Sequence, residues 1–212
     1  PLAPFPLLTG FISDADTKFG TNVDRDSLSV REYMINVPVI SAYMYAYGKV
    51  FKLPYMKAER IIIESNHADK YRFHPNRDSY EESWKMENAI SYEAVFKKSV
   101  AGKDRMNRII KDLDNKLNLF SSIEKRLVDC WIVINGKGKG SIVHENGQPI
   151  KDFVFMADLD PNIPPIVNES TIHLKVQVKA WSSFDDLRML LIASGYDLKK
   201  EKREIDVFVL RD

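Results

Sequence analysis

Across residues 103–117 the chain reads KDRMNRIIKDLDNKL, with Met106, Ile109, Ile110, Leu113 and Leu117 spaced three and four apart. That spacing lays one apolar stripe along a helix, and a stripe of this kind must be covered by another layer. A second segment, TIHLKVQVKAW over 171–181, alternates instead. Period two puts Ile172, Leu174, Val176 and Val178 on one face and His173, Lys175, Gln177 and Lys179 on the other, the pattern of a half-buried antiparallel strand. Together they require an α+β fold in which two or three helices pack on an antiparallel sheet. At 212 residues, 44% of them hydrophobic, the chain has enough apolar material for a core, which argues against disorder.

The other segments fill in this frame. Residues 1–12 carry Pro1, Pro4 and Pro6 among apolar side chains and read as an extended arm, because proline fixes φ and removes a donor. The arm lacks the basic start of a standard signal peptide. Polar residues 13–32 read as loop. We therefore divide the chain into an arm and polar loop, 1–32, and a single α+β domain, 33–212. Aromatic and β-branched residues over 33–53 suit strands, with Tyr43, Tyr45 and Tyr47 on one face. A short strand is expected over 58–65 and a loop over 66–79. Ser79 and Glu82 match a capping box that opens a helix running from 80 towards Gly102. Residues 118–123 read as an apolar loop and 127–135 as a buried strand. The glycines after Asn135 read as a turn leading to a return strand over 141–144, and 150–157 reads as a third strand. Prolines mark 158–170 as loop. Ser183, Asp185, Asp186 and Gly195 bound a last helix, and 205–210 closes the sheet.

Signals for chemistry are weak. Gly136, Gly138 and Gly140 fit neither a P-loop nor a dinucleotide fingerprint, and a hairpin tip explains them. His67, Asp69 and His74 lack the spacing of a zinc site, and Asp158 and Asp160 suit an Asx turn before proline. Glu81 and Glu82, like Asp185 and Asp186, suit helix N-termini. Cys130, the single cysteine, lies among Leu, Val, Trp and Ile and reads as a buried thiol. No nucleophile elbow occurs. The expectation is a protein that is not an enzyme and has no cofactor or metal. A small metal-dependent hydrolase or nuclease using His67, His74 and nearby acids is an alternative.

Charge is more informative in its distribution than in its sum, since 31 basic residues oppose 30 acidic ones. Lys97, Lys98, Lys103, Arg105, Arg108 and Lys111 fall within one short stretch that holds a single acid, Asp104. Lys199, Lys200, Lys202 and Arg203 form a second cluster, and Lys137 and Lys139 stand on the glycine turn. Such clusters are either solvated helix faces or sites for phosphates of an anionic membrane or a nucleoprotein. An apolar arm that cannot form its own core reads either as a disordered terminus or as a connector between copies, which head to tail gives open helical assemblies. No apolar run approaches the length of about 18 residues that a helical membrane span needs.

The order of motifs over 86–203 resembles that of rhabdovirus matrix proteins, especially the vesiculovirus type. Ala89, Ile90 and Ser91 are followed by Ala101, Gly102 and Lys103, then by Arg108, Ile109, Ile110 and Leu113. His144, Gly147 and Pro149 come next, then Pro161, Asn162 and Ile163 ahead of Thr171, Ile172 and Leu174. Ser182, Ser183 and Phe184 lead through Asp186, Leu187 and Arg188 to Gly195, Lys199 and Lys200. Two family features are not seen in this sequence: the lysine-rich N-terminus is missing or lies upstream of Pro1, and there is no Pro-Pro-x-Tyr motif.

The resemblance implies a non-enzymatic virion protein that self-associates, condenses the viral nucleoprotein, contacts the inner face of the envelope and drives budding. It implies presence in the virion, the host cytoplasm, the inner face of the plasma membrane and the nucleus, with host factors among its partners. Self-association would join Leu2, Pro4, Phe5, Leu7 and Leu8 of the arm to Leu117, Leu119 and Phe120 of a neighbour. The basic residues named above, Lys137 and Lys139 included, would meet membrane or nucleoprotein. A capsid or tail subunit without a membrane role is the other particle-forming alternative.

Overall fold

The computed structural model describes residues 6–23, 28–51, 57–75, 80–137, 146–177 and 179–212. In chain order the elements are β1 (Leu7–Thr9), β2 (Lys18–Val23), β3 (Ser29–Val37), α1 (Val39–Val50), a 3-10 turn (Ala58–Arg60), β4 (Ile61–Glu64), α2 (Ala68–Tyr71), α3 (Glu81–Asn88), β5 (Ile90–Lys97), α4 (Gly102–Leu117), β6 (Phe120–Asn135), β7 (Gln148–Pro149), α5 (Ile150–Leu159), β8 (Ile166–Asn168), β9 (Lys175–Val176), α6 (Phe184–Ala193) and β10 (Tyr196–Arg211). The fold is α+β. It comprises two compact units, one of Pro1–Leu53, Ile63–Ser122 and Leu210–Asp212, the other of Pro54–Ile62 and Ile123–Val209.

The first unit holds an antiparallel sheet in the order β1-β5-β3-β2. Alternation gives it one buried face, from Val30, Glu32 and Met34 of β3 and Tyr92, Ala94 and Phe96 of β5. Onto that face α4 turns Met106, Ile109, Ile110 and Leu113, the stripe read from the sequence. The Tyr92 hydroxyl donates to Asp112 of α4 at 2.8 Å, and the Tyr43 hydroxyl of α1 donates to Asp114 at 2.9 Å. Asn118, in the left-handed region at φ 53°, ends α4, and its N–H returns to the Asp114 carbonyl.

Several elements depart from expectation. Residues 39–50 form a helix, so Tyr43 and Tyr47 share a buried face while Tyr45 lies on another. Ala42 and Ala46 recur with those tyrosines at helical spacing, and packing against α4 outweighs the β-propensity of the aromatics. The helix expected from 80 ends at Asn88, because Ala89 is extended (φ −75°, ψ 150°) and 90–97 continues as β5. Tyr92, Ala94 and Phe96 are inward at period two, which an eye set for helix misses. Gly102 opens α4 and does not close a helix. Ser79 lies outside the described residues, and Tyr80 holds the N-cap position of α3. Residues 13–32, expected as loop, supply β2 and the start of β3. Residues 118–123, also expected as loop, run into β6, and 66–79 contains α2.

The second unit has the sheet order β4-β10-β6-β8, with β8 parallel to β6. Both faces of the central strands are covered. Cys130, Ile132, Ile205, Val207 and Val209 form one cluster; Val133, Tyr196 and Leu198 join α5, α6 and Val176 in another. Residues 150–157 are helix, not strand. Ile150, Phe153, Val154 and Ala157 sit inward at spacings of three and four, and Pro149 sits at the N-cap. The alternation over 171–181 survives in burial, but only Lys175–Val176 pairs as strand; Val178 lies outside the described residues. Ser183 caps α6 by accepting from the Asp186 N–H at 3.1 Å, and Gly195 (φ 89°) ends it, both as read. Gly136 is a contact point more than a turn residue: an added Cβ would stand 2.7 Å from the Gly195 carbonyl oxygen. The return strand expected over 141–144 lies outside the described residues.

Burial, reinforced by Asp114 and Asp112, pushes the Tyr43 and Tyr92 hydroxyls well above the ordinary tyrosine range, and burial pushes Tyr45 up to about 12. These groups ionise near pH 10 only once unfolded, so their contribution is complete below about pH 10 and declines above it. We expect denaturant stability to fall by about 1 kcal/mol per pH unit for each fully buried tyrosine above about pH 10. Urea titrations across that range, read by phenolate absorbance, check this. Tyr92→Phe should flatten the slope.

Candidate basic surface

β5 ends in Lys97, and a tight turn follows in which the Val100 N–H donates to the Lys97 carbonyl at 2.9 Å. The Lys98 N–H reaches the Leu28 carbonyl at 2.6 Å, fixing the turn to the sheet. α4 then begins at Gly102. With its apolar stripe turned inward, Lys103, Arg108 and Lys111 are exposed, and Lys97 and Lys98 are exposed just before them. None of these five cations forms an ion pair with a described residue. Asp104 is the one exposed acid within this stretch, so one negative charge faces five positive ones.

Arg105, the sixth basic residue of this stretch, is used inside the fold. Its Nε donates to Glu32 Oε1 at 3.0 Å and its Nη1 to the Val100 carbonyl at 2.7 Å. Glu32 is fully buried and also accepts from the Tyr45 hydroxyl at 2.9 Å and the Thr21 hydroxyl at 2.7 Å, with Lys49 Nζ at 3.6 Å. Arg105 therefore leaves the set of surface-binding candidates.

The second basic cluster is partly neutralised by its neighbours, while Lys200 and Lys202 stay exposed and form no ion pair with a described residue. Lys199 pairs with Glu201 at 2.8 Å, and Arg203 pairs with Glu201 at 2.7 Å and with Glu169 through both Nε and Nη2. Bonds to Glu169 and then Glu201 raise the Arg203 pKa further, while Glu169 and Glu201 titrate lower than usual. Lys137 is exposed; Lys139 lies outside the described residues.

The apolar candidates scatter. Leu7 and Leu8 belong to β1, which pairs with the chain's own β5 as Leu7↔Glu93 and Leu8↔Tyr92, so this part of the arm completes its own sheet. Leu2, Pro4 and Phe5 lie outside the described residues. Leu119 is a core residue, Leu117 is half-buried, and Phe120 is 59% exposed. Leu119 packs inward because the N–H that follows Asn118 turns the chain back to the Asp114 carbonyl at 2.9 Å.

Among the described residues no group of three or more His, Cys, Asp or Glu stands close enough to hold a metal ion, His67, Asp69 and His74 included. Cys130 is buried, and burial raises its thiol pKa. Asp160 makes the expected Asx turn, accepting from the Asn162 N–H at 2.9 Å.

Asp158 does not make such a turn. It is buried in the second unit, with Arg60 Nη2 at 2.5 Å and Lys57 Nζ at 3.4 Å, and it accepts from the Ile166 N–H at 3.1 Å. Lys57 also donates to the Asp160 and Ile163 carbonyls, and burial lowers its pKa. No sequence signal announced this cluster, because Arg60 and Asp158 stand 98 residues apart.

Comparison of the chain with protein-family models, with curated proteins and with solved structures gives no match.

Removing one partner of a buried pair leaves a charge without compensation. Arg105→Ala and Asp158→Ala should therefore each cost about 3 kcal/mol or more. Lys103→Ala and Lys111→Ala should stay within about 0.5 kcal/mol of the parent. Chemical denaturation of the four variants tests the assignment of spent and free charges.

Proposed function

We propose that the chain is a matrix-type structural protein of an enveloped virus particle, without enzymatic activity, which binds the anionic inner face of the envelope and the viral nucleoprotein and self-associates to drive assembly and budding. The observation that carries this reading is the set Lys97, Lys98, Lys103, Arg108 and Lys111, all exposed and free of ion pairs with described residues, on a helix and turn anchored to a sheet. Internal charge needs are met separately by Arg105, and no described residue forms an ion pair with any of the five. The collinear motifs over 86–203 supply the particle context.

The pairing of β1 restricts what the arm does in self-association. The Leu7 side chain, 61% exposed, and Phe120 keep their apolar surface available, whereas Leu8 and Leu119 are engaged at home. Virion, host cytoplasm, plasma membrane and nucleus are the sites of action this function requires.

Each basic group near an anionic bilayer contributes about 1 kcal/mol. Lys103→Ala/Arg108→Ala/Lys111→Ala should then weaken binding to phosphatidylserine vesicles about a hundredfold at low salt. The parent should dissociate as salt rises and ignore phosphatidylcholine vesicles. Equal cosedimentation of parent and triple variant, or none by the parent, overturns the reading.

A further inference from the structure

On the sheet face opposite α4 lies a cavity of about 340 Å³, lined by Ile12, Ala15, Lys18, Asn22, Arg31, Tyr33 and Ile35. The register explains why these groups meet. Lys18↔Ile35, Gly20↔Tyr33 and Asn22↔Arg31 are directly opposed in β2 and β3, so their side chains share the outer face. Gly20 makes room for the Tyr33 ring, since an added Cβ would stand 2.8 Å from its hydroxyl oxygen. Arg31 lies over that ring at 5.8 Å and also pairs with Glu93 of β5.

The end wall is built by one residue. Asn36 is fully buried at φ 51°, in the irregular step between Met34 and Val37. Its side chain accepts from the Ile12 N–H at 2.8 Å and donates to the Ile12 and Ala15 carbonyls at 2.8 and 2.7 Å. Thr17 adds a bond to the Asn36 carbonyl at 3.2 Å. These bonds hold Ile12 and Ala15 against the end of the sheet, giving an apolar wall beside a cationic one.

The geometry points to a binding site for a singly charged oxyanion that carries an apolar group, either a carboxylate or a phosphodiester. Lys18 has no ion pair among the described residues, and Arg31 shares its charge with Glu93, so one positive charge is left over. A lone anion balances it, with the Asn22 amide and the Tyr33 hydroxyl as further donors. Ile12, Ala15 and Ile35 take the apolar portion. The volume lies at the small end of ligand sites, which suits a ligand of headgroup or short-chain size.

Octanoate and monomeric dihexanoylphosphatidylglycerol, with acetate as the apolar-free control, test this by calorimetry and by chemical-shift changes at Tyr33 and Ile35. At least one should bind about tenfold or more tightly than acetate, and which one does identifies the anion. Lys18→Glu, a surface change, should weaken binding about tenfold, and Ala15→Phe should fill the cavity to similar effect. Lys103→Ala/Arg108→Ala/Lys111→Ala should leave it unchanged, which separates this site from the basic face of α4. No binding stronger than that of acetate, or binding that survives Lys18→Glu, overturns the proposal.

Discussion

Glu32 projects from β3 into the interior of the first unit and has no exposed surface. A carboxylate so placed must be met by donors, and it is met from three other elements: Arg105 of α4, Tyr45 of α1 and Thr21 of β2. Coulomb attraction in such a site is largely offset by desolvation, so the value of the arrangement is mainly positional. It fixes the rotation of α4 about its axis. With Arg105 turned inward beside the apolar stripe, Arg108 and Lys111 lie on the side of the helix away from it and face solvent, and Lys103 is exposed in the first turn. The tyrosine hydroxyls on Asp112 and Asp114 hold the same rotation further along.

The second unit repeats the device with different parts. Asp158 at the end of α5 gathers Lys57 and Arg60, and Lys57 holds the carbonyls of the loop that follows α5. Lys57 is itself buried there, and burial lowers its pKa even though the Asp158 carboxylate beside it acts in the opposite direction. In both units the charges that look most available in the sequence are partly consumed by the fold. The Lys199 to Arg203 cluster is a further case, since Glu169 and Glu201 lie beside it.

What remains free is correspondingly more informative. A cationic face on a helix anchored by buried contacts is pre-organised and loses little side-chain order beyond its own on meeting a charged layer. The sheet beneath has a different outer face, where the Asn36 clamp and the Gly20 gap shape a small cavity. The two surfaces derive from opposite sides of the same strands, so alternation along β3 supplies both a scaffold for α4 and the lining of the cavity.

Legibility followed the range of the interactions. The α4 stripe, the Ser183 cap, the Gly195 stop, the buried Cys130 and the strand through 127–135 were all visible, because each is set by neighbours within a few residues. Residues 39–50 and 150–157 misled because short apolar runs fit helix or strand equally and their packing partners decide. The pairing of Leu7 and Leu8 with β5 and the inward turn of Arg105 were hidden for the same reason. The amino-acid order by itself determined the α+β class and the concentration of positive charge around α4, since both depend on local spacing. Only the tertiary structure decided which of those charges stay free and where a cavity opens, because burial of a carboxylate selects its partners by proximity in space and not along the chain.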